Sequence, residues 1–336
     1  MAGAMASPMT PPAEVHDFLA RCGWAGSRIE PLAGDASFRR YFRVIDGART
    51  AVLMDAPPPH EDVRPFVAVA EWLQSVGLSA PEILARDIDR GLLLLGDFGQ
   101  WRLREFVDQD PARERELYEL ATDLLVHLHE HSPMDGLPPH GLHQWLEELT
   151  LFTDWYCPAV GLSVDVENYR QAWTEVLGPV AADGLGPVTV LRDYHAENVM
   201  LVEGREGVRH FGLLDFQDAL AGHPAYDLAS VLEDARRDVP PPIERAMIER
   251  YVAATGKAEL FERAYWALAA QRNTRILGVF TRLWKRDNKP HYTTFQPRMW
   301  GLLERDLAQP GLEPVKRWFD ENIRSEHRAA PWAEAA

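Results

Sequence analysis

Three residues have types and a spacing that can do chemistry: Asp193, Asn198 and Asp215. Asp193 and Asn198 lie five positions apart in Val190-Leu-Arg-Asp-Tyr-His-Ala-Glu-Asn-Val-Met200, a polar loop between two apolar runs. Asp215 follows the next apolar run, Gly212-Leu-Leu, and opens Asp215-Phe-Gln-Asp218. Phosphoryl transfer asks a protein for such a set. It needs a carboxylate to orient the acceptor hydroxyl and take its proton, and oxygen ligands for a metal that neutralises the nucleotide phosphates. Magnesium is a hard cation that accepts few protein oxygens and keeps several waters, so one Asn and one separate Asp suit it. In this reading Asp193 is the catalytic base, Asn198 and Asp215 hold Mg2+, and ATP is the donor. An Asp, an Asn five residues on and a second Asp after the next strand follow the order of kinase catalytic and metal loops.

Elements must carry these residues. The alanine-rich stretch 1–10 lacks the basic start and apolar centre of a signal peptide and reads as disordered or tag-derived. Residues 12–22 read as a helix stopped by Gly23. Phe38–Ile45 and Thr50–Met54 read as strands joined at Asp46-Gly47, a hairpin turn signal. A helix over 61–76 shows apolar recurrence at Phe66, Val69, Ala70 and Leu73, and strand candidates follow near 81–86 and 92–95. After Gly99 the pattern turns helical (111–131, 143–156, 165–177 and most of the chain from 224), with short strands at 189–192 and 211–214. The expectation is an α+β bilobal chain: a small β-rich N-lobe over 11–97 and a larger α-helical C-lobe over 98–336. A length of 336 residues suits two lobes, and a cleft between lobes is the usual place for a ligand.

A net charge of −16 argues against a nucleic-acid or anionic-membrane partner. No apolar run reaches the length of a membrane span. The two cysteines, Cys22 and Cys157, form neither a metal spacing nor a disulfide framework, which suits a cytoplasmic protein. No obligate protein partner is implied.

The site segment resembles the aminoglycoside phosphotransferase and choline kinase superfamily. Its pattern is His-x-Asp-x-His-x-x-Asn, a strand ending in Asp, then Gly-x-Pro-x-x-Asp-Leu-Ala. Asp193, His195 and Asn198 match the first block, Asp215 the second, and Gly222-His-Pro-Ala-Tyr-Asp-Leu-Ala229 the third. The resemblance implies a protein-kinase-like fold, with Asp227 as a buried anchor for the catalytic loop. More narrowly, GDASFRRYFRV, VLMDAPP, LRDYHAENVM, LLDFQDAL, GHPAYDLASVLEDARRDV and QRNTRILGVFTRL are similar to the anomeric sugar kinases of bacterial cell-wall recycling. That implies ATP-dependent phosphorylation of N-acetylmuramate and N-acetylglucosamine to the sugar 1-phosphate. Another small-molecule kinase of the superfamily, for an aminoglycoside, choline or an amino alcohol, is the alternative. A non-catalytic pseudokinase is a third reading.

Two departures matter. The first His of the pattern is Leu191. The lysine that kinases carry on the third strand is also missing: the four lysines (Lys257, Lys285, Lys289, Lys316) lie outside the first lobe, and the strand reads Ala51-Val-Leu-Met-Asp55. Ser37 in Gly34-Asp-Ala-Ser37 and the arginines Arg39, Arg40 and Arg43 are the candidates to hold nucleotide phosphates. In an extended strand Arg39 and Arg43 share one face and Arg40 the other. Asp97-Phe98-Gly99 spells the kinase metal motif but precedes the catalytic loop; it marks the interlobe hinge, where backbone around Leu95 and Asp97 could meet the adenine. On the acceptor side Trp155, Tyr156 and Tyr226 are the candidates to touch a sugar, His195 to touch the acceptor or orient the loop, and Arg275 to bind the lactyl carboxylate of N-acetylmuramate.

Overall fold

A computed structural model describes residues 10–32, 38–256 and 258–328. In chain order the first elements are α1 (Glu14–Arg21), β1 (Arg28–Pro31), β2 (Arg40–Asp46), β3 (Arg49–Asp55), α2 (Arg64–Ser75), β4 (Ile83–Asp87) and β5 (Leu92–Gly96). Then come α3 (Leu103–Gln109), α4 (Glu114–His129), β6 (Pro139–His140), α5 (Leu142–Leu151), α6 (Cys157–Ala159), α7 (Val166–Ala181), β7 (Val188–Val190), β8 (Val199–Leu201), β9 (Phe211–Leu213) and β10 (Leu220–Gly222). The chain finishes with α8 (Ala225–Leu232), α9 (Pro241–Thr255), α10 (Ala258–Lys285), α11 (Gln296–Leu307), α12 (Glu313–Asn322) and α13 (Ser325–Arg328). Two compact units result: one holds the chain up to Arg102 plus Val199–Asp218, the other Leu103–Asn198 plus Ala219 onward. The sequence reading kept 199–218 with the helical lobe.

The first unit is a five-stranded antiparallel sheet in the order β1-β2-β3-β5-β4. Its hairpin turns at Gly47, whose φ of 60° is easy only without a side chain. Strand alternation puts Phe42, Val44, Ala51, Leu53, Leu92 and Leu94 on one face, where they pack on Val15, Phe18 and Leu19 of α1. Those α1 residues recur at helical spacing, so the helix closes this core with one stripe. The β8–β9 hairpin joins the same unit: Leu213 N–H donates to the Ser79 carbonyl at 2.7 Å and Leu201 N–H to that of Trp101 at 2.8 Å.

The second unit is helical around α10, whose buried residues run from Phe261 to Thr281 and include Gln271, Asn273 and Thr274. A helix buried on several sides must satisfy such groups. Asn273 Nδ2 reaches Asp306 of α11 at 2.8 Å, while Arg305 of α11 pairs with Glu233 at 2.9 Å and with Glu244 of α9 at 2.8 Å. A small sheet, β6-β10-β7, lies in this unit. Its strands of two or three residues are too short for a periodicity and exist through pairing. The helix expected over 143–156 ends as an α-helix at Leu151 and continues as a π turn over Phe152–Tyr156. Among the described residues no helix is long and apolar enough to cross a membrane.

Candidate active site

The Asp193–Asn198 loop belongs to the helical unit and is pinned at both ends. Entirely buried β7 delivers it. The N–H groups of Leu191 and Arg192 then donate to the two carboxylate oxygens of Asp227, at 2.5 and 2.9 Å. Asp227 sits in the first turn of α8, fully buried. Burial pushes its carboxyl up to about 7, against the pull of those two N–H donors. Arg192 has φ 71°, a left-handed conformation costly for a side chain that the two bonds hold in place. Further on, Ala196 N–H donates to Asp234 at 3.1 Å and the Tyr194 hydroxyl to the Ala121 carbonyl at 3.0 Å.

Within the loop, Asn198 Nδ2 donates to the Asp193 carbonyl at 3.0 Å and stands 3.3 Å from His195 Nε2. Arg236 Nη1 stands 3.3 Å from the same nitrogen. Both neighbours are donors, so Nε2 is the acceptor and the ring proton lies on Nδ1. Arg236 is held in turn by Glu197 at 3.1 Å. His195 is buried and braces the loop. This is the second of the two roles expected of it, orienting the loop. Its effect is to fix the Asn198 amide with the nitrogen inward, leaving the carbonyl oxygen as the side-chain atom free to meet a cation.

Asp215 belongs to the sheet unit, with φ 57° at the end of β9. Its Oδ1 accepts from Gln217 Nε2 at 3.0 Å, and Gln217 also reaches Asp218 at 3.0 Å. Arg39 Nη2 lies 3.4 Å from Asp215 Oδ1, and its Nε lies 3.7 Å from Glu61. Burial alone would lower the Arg39 pKa; Tyr41, Asp215, Glu61 and Asp218 outweigh it and raise it. Gly212, three residues before, is covered by the Phe98 ring, which a Cβ there would strike. Phe98 of Asp97-Phe98-Gly99 therefore packs the hairpin onto the sheet. Phe216 stacks on Phe66 of α2 with ring centres 4.9 Å apart. The Asn198 carbonyl oxygen and the Asp215 carboxylate are each hard oxygens, the donor type that magnesium takes.

Ser37 lies outside the described residues. Arg40 and Arg43 point oppositely. Arg40 Nε donates to Asp55 at 2.7 Å. It shares the strand face of Phe42 and Val44, the face that α1 covers, which corrects its expected place at the nucleotide. Arg43 forks onto Asp97 at 2.8 and 3.2 Å and reaches the Gly99 carbonyl at 2.7 Å. Arg43 and Asp97 thus satisfy each other. Leu95 is buried and lies in register with Val52 on one side and Ile83 on the other. Asp97 follows two residues on, just past the end of β5.

A second polar cluster surrounds Glu148 of α5. The carboxylate takes His140 Nε2 and Gln271 Nε2 at 3.3 Å each, Arg192 Nη2 at 3.3 Å and Arg275 Nε at 3.5 Å. Burial pushes Glu148 up, but Arg275, His140 and Arg192 outweigh it and pull it down to about 2. Tyr226 is fully buried with its ring edge-on to His140, so it is no open stacking platform for a sugar; its hydroxyl faces the cluster without a hydrogen-bond partner. Tyr156 is corrected more plainly. Its ring is fully buried, and its hydroxyl donates to the His327 carbonyl and accepts from Trp300 Nε1, both at 2.7 Å. Trp155 beside it on the π turn is half-buried. Sequence reasoning missed Glu148. The signal was a carboxylate set among Trp145, Leu146 and Leu149, the buried residues of its helix.

With this geometry in hand, comparison with known proteins narrows the chemistry. The model of the phosphotransferase enzyme family matches residues 28–267. The chain is 36% identical to the N-acetylmuramate/N-acetylglucosamine kinase of Caulobacter vibrioides, over 93% of this chain and 96% of that one. It is 37% identical to the protein of the same name from Pseudomonas aeruginosa, over 85% and 87% of the two chains. Among solved structures it is similar to a choline/ethanolamine kinase family protein from Mesorhizobium loti, with a TM-score of 0.64 at 15% identity over 91% of this chain and 97% of that one. It is also similar to the ADP-bound aminoglycoside phosphotransferase APH(2'')-Ib, with a TM-score of 0.63 at 15% identity over 91% and 99%. The fold is protein-kinase-like: a β-sheet N-terminal part and a helical C-terminal part.

Proposed function

The chain belongs to the phosphotransferase enzyme family, and from that premise we propose that it phosphorylates the anomeric hydroxyl of N-acetylmuramate and N-acetylglucosamine with ATP. The observation that carries the reading is its likeness, over nearly the whole chain, to a kinase named for those two sugars.

Asp193 is the group that orients the anomeric hydroxyl and takes its proton as the oxygen attacks the γ-phosphorus. One O–P bond forms at the sugar, the bond from the γ-phosphorus to the bridging oxygen breaks, and ADP leaves. The anomeric hydroxyl is more acidic than an ordinary alcohol, so a carboxylate base suffices. The strained Arg192 backbone and its bonds to Asp227 hold Asp193 in place before substrate arrives, which lowers the reorganisation the reaction needs. Asn198 and Asp215 would hold magnesium, which when bound neutralises charge on the phosphates. His195 keeps the Asn198 amide turned for that task. Arg39 offsets the charge of Asp215.

The test is Asp193→Asn in an ADP-release assay over N-acetylmuramate, N-acetylglucosamine, kanamycin and choline. The wild type is expected to turn over the two amino sugars. The variant should lose about 10²- to 10⁴-fold in kcat, the span of general-base contributions, with ATP binding retained. Turnover within threefold of wild type sinks the role of Asp193. Turnover of kanamycin or choline in place of the amino sugars sinks the substrate reading.

A further inference from the structure

Arg275, its side chain 16% exposed, sits in a ring of charge. It pairs with Glu148 at 3.5 Å, and the acidic groups that raise its pKa against the cost of burial are Tyr226, Glu148 and Asp193. Arg192 adds a second guanidinium to the same carboxylate at 3.3 Å. Two guanidiniums thus share that one carboxylate. The polar atoms around it are also underused: Arg192 Nε and the Tyr226 hydroxyl are buried and make no hydrogen bond. Tyr226 is itself fully buried, and an unpartnered buried hydroxyl costs free energy unless something else meets it.

Arg282 extends the pattern. It follows Arg275 by two turns of α10, on the same face. It makes no ion pair among the described residues, and its Nε is buried without a hydrogen-bond partner. Burial, then repulsion from Arg286 and Arg275, lowers its pKa against the opposing pull of Asp287. Arg286 is already paired with Asp287 at 2.7 Å, which leaves Arg282 as the guanidinium of this run that an added anion would meet. Arg275 shares Glu148 with Arg192, the residue immediately before Asp193, and Arg282 lies two turns further along α10. An acceptor with its reacting hydroxyl at Asp193 and a carboxylate two ring positions away presents that anion.

We propose that Arg275 and Arg282 form the subsite for the lactyl carboxylate of N-acetylmuramate, with Glu148 as the internal counter-ion that holds Arg275 when the uncharged sugar is bound. This rests on the reading of the chain as an amino-sugar kinase. Removing both members of the inner pair together avoids stranding either of them without the other, so the informative variants are Arg282→Gln and the double variant Arg275→Gln/Glu148→Gln.

The readout is the ratio of kcat/KM for N-acetylmuramate to that for N-acetylglucosamine. It should fall at least tenfold in both variants and stay within threefold of wild type in Arg282→Lys, which keeps the charge. A ratio unchanged in both, or equal losses on the two sugars, overturns the subsite. Calorimetric Kd values for the two sugars without ATP give the same comparison independently of turnover. A wild type that binds N-acetylmuramate through Arg282 but phosphorylates neither sugar keeps the subsite and sinks the kinase reading. A wild type that does not bind N-acetylmuramate overturns the subsite.

Discussion

Asp227 accepts the backbone N–H of Arg192 at 2.9 Å, and Arg192 holds φ 71° immediately before Asp193. A buried carboxylate thereby sets the backbone of the candidate base. Burial raises the Asp227 pKa to about 7, so the folded protein holds this proton more tightly than the unfolded chain. The stabilisation from that proton is full below the ordinary aspartate range near ~4 and is lost as pH rises through about 7. Asp227→Asn cannot accept both N–H groups and should cost about 1–3 kcal/mol, with a kcat loss on the order of 10²-fold from the displaced loop. Because the variant does not titrate, the gap in thermal stability between it and the wild type should be wider at pH 5 than at pH 8. A gap that widens toward pH 8 contradicts the raised value.

Arg39 and Asp215 lead to a second expectation. Arg39→Met removes the cation 3.4 Å from the Asp215 carboxylate. The loss of a charge-assisted contact of about 1.5 kcal/mol should raise the KM for ATP roughly tenfold and leave the KM for the sugar alone. Arg39→Lys should recover only part of this, since an ammonium cannot fork between Glu61 and Asp215. Initial rates over a grid of ATP and sugar concentrations decide it.

His195 is a positioning residue, so its variants should separate by hydrogen-bonding ability. His195→Ala leaves the Asn198 amide without the acceptor 3.3 Å away. The magnesium concentration for half-maximal rate should then rise about five- to tenfold, the size of one hydrogen bond of about 1 kcal/mol or slightly more. His195→Gln, which still offers an acceptor oxygen, should restore most of it. Equal defects in both variants would mean that packing, not acceptance, is the role.

Gly278 concerns stability alone. A Cβ there would overlap the Leu151 carbonyl group, which is backbone and cannot swing away. Gly278→Ala should cost about 1–3 kcal/mol as α10 is pushed off the end of α5, a Tm drop of roughly 2–10 °C for a chain of this size. Gly301→Ala, with open space around it, is the control and should leave Tm unchanged or slightly raised.

The sequence by itself determined the base and metal residues as candidates, because Asp193, Asn198 and Asp215 are defined by type and short-range spacing and their roles depend on a local loop. It also determined the sheet hairpin, since Asp46-Gly47 carries its turn chemistry with it, and the Asp227 anchor through a motif resemblance. Only the tertiary structure decided what each charge meets. Arg39 reaches Asp215 across 176 positions and Glu148 gathers Arg192 and Arg275 from other elements, while Arg43 closes on Asp97 instead of standing open. Tyr156, which read as a sugar platform, is a core residue whose hydroxyl is spent on Trp300 and His327. The reason is physical. Residue type and spacing fix backbone geometry over one loop or turn, whereas the partner of a long side chain depends on which strand or helix face is buried and on what distant segment covers it.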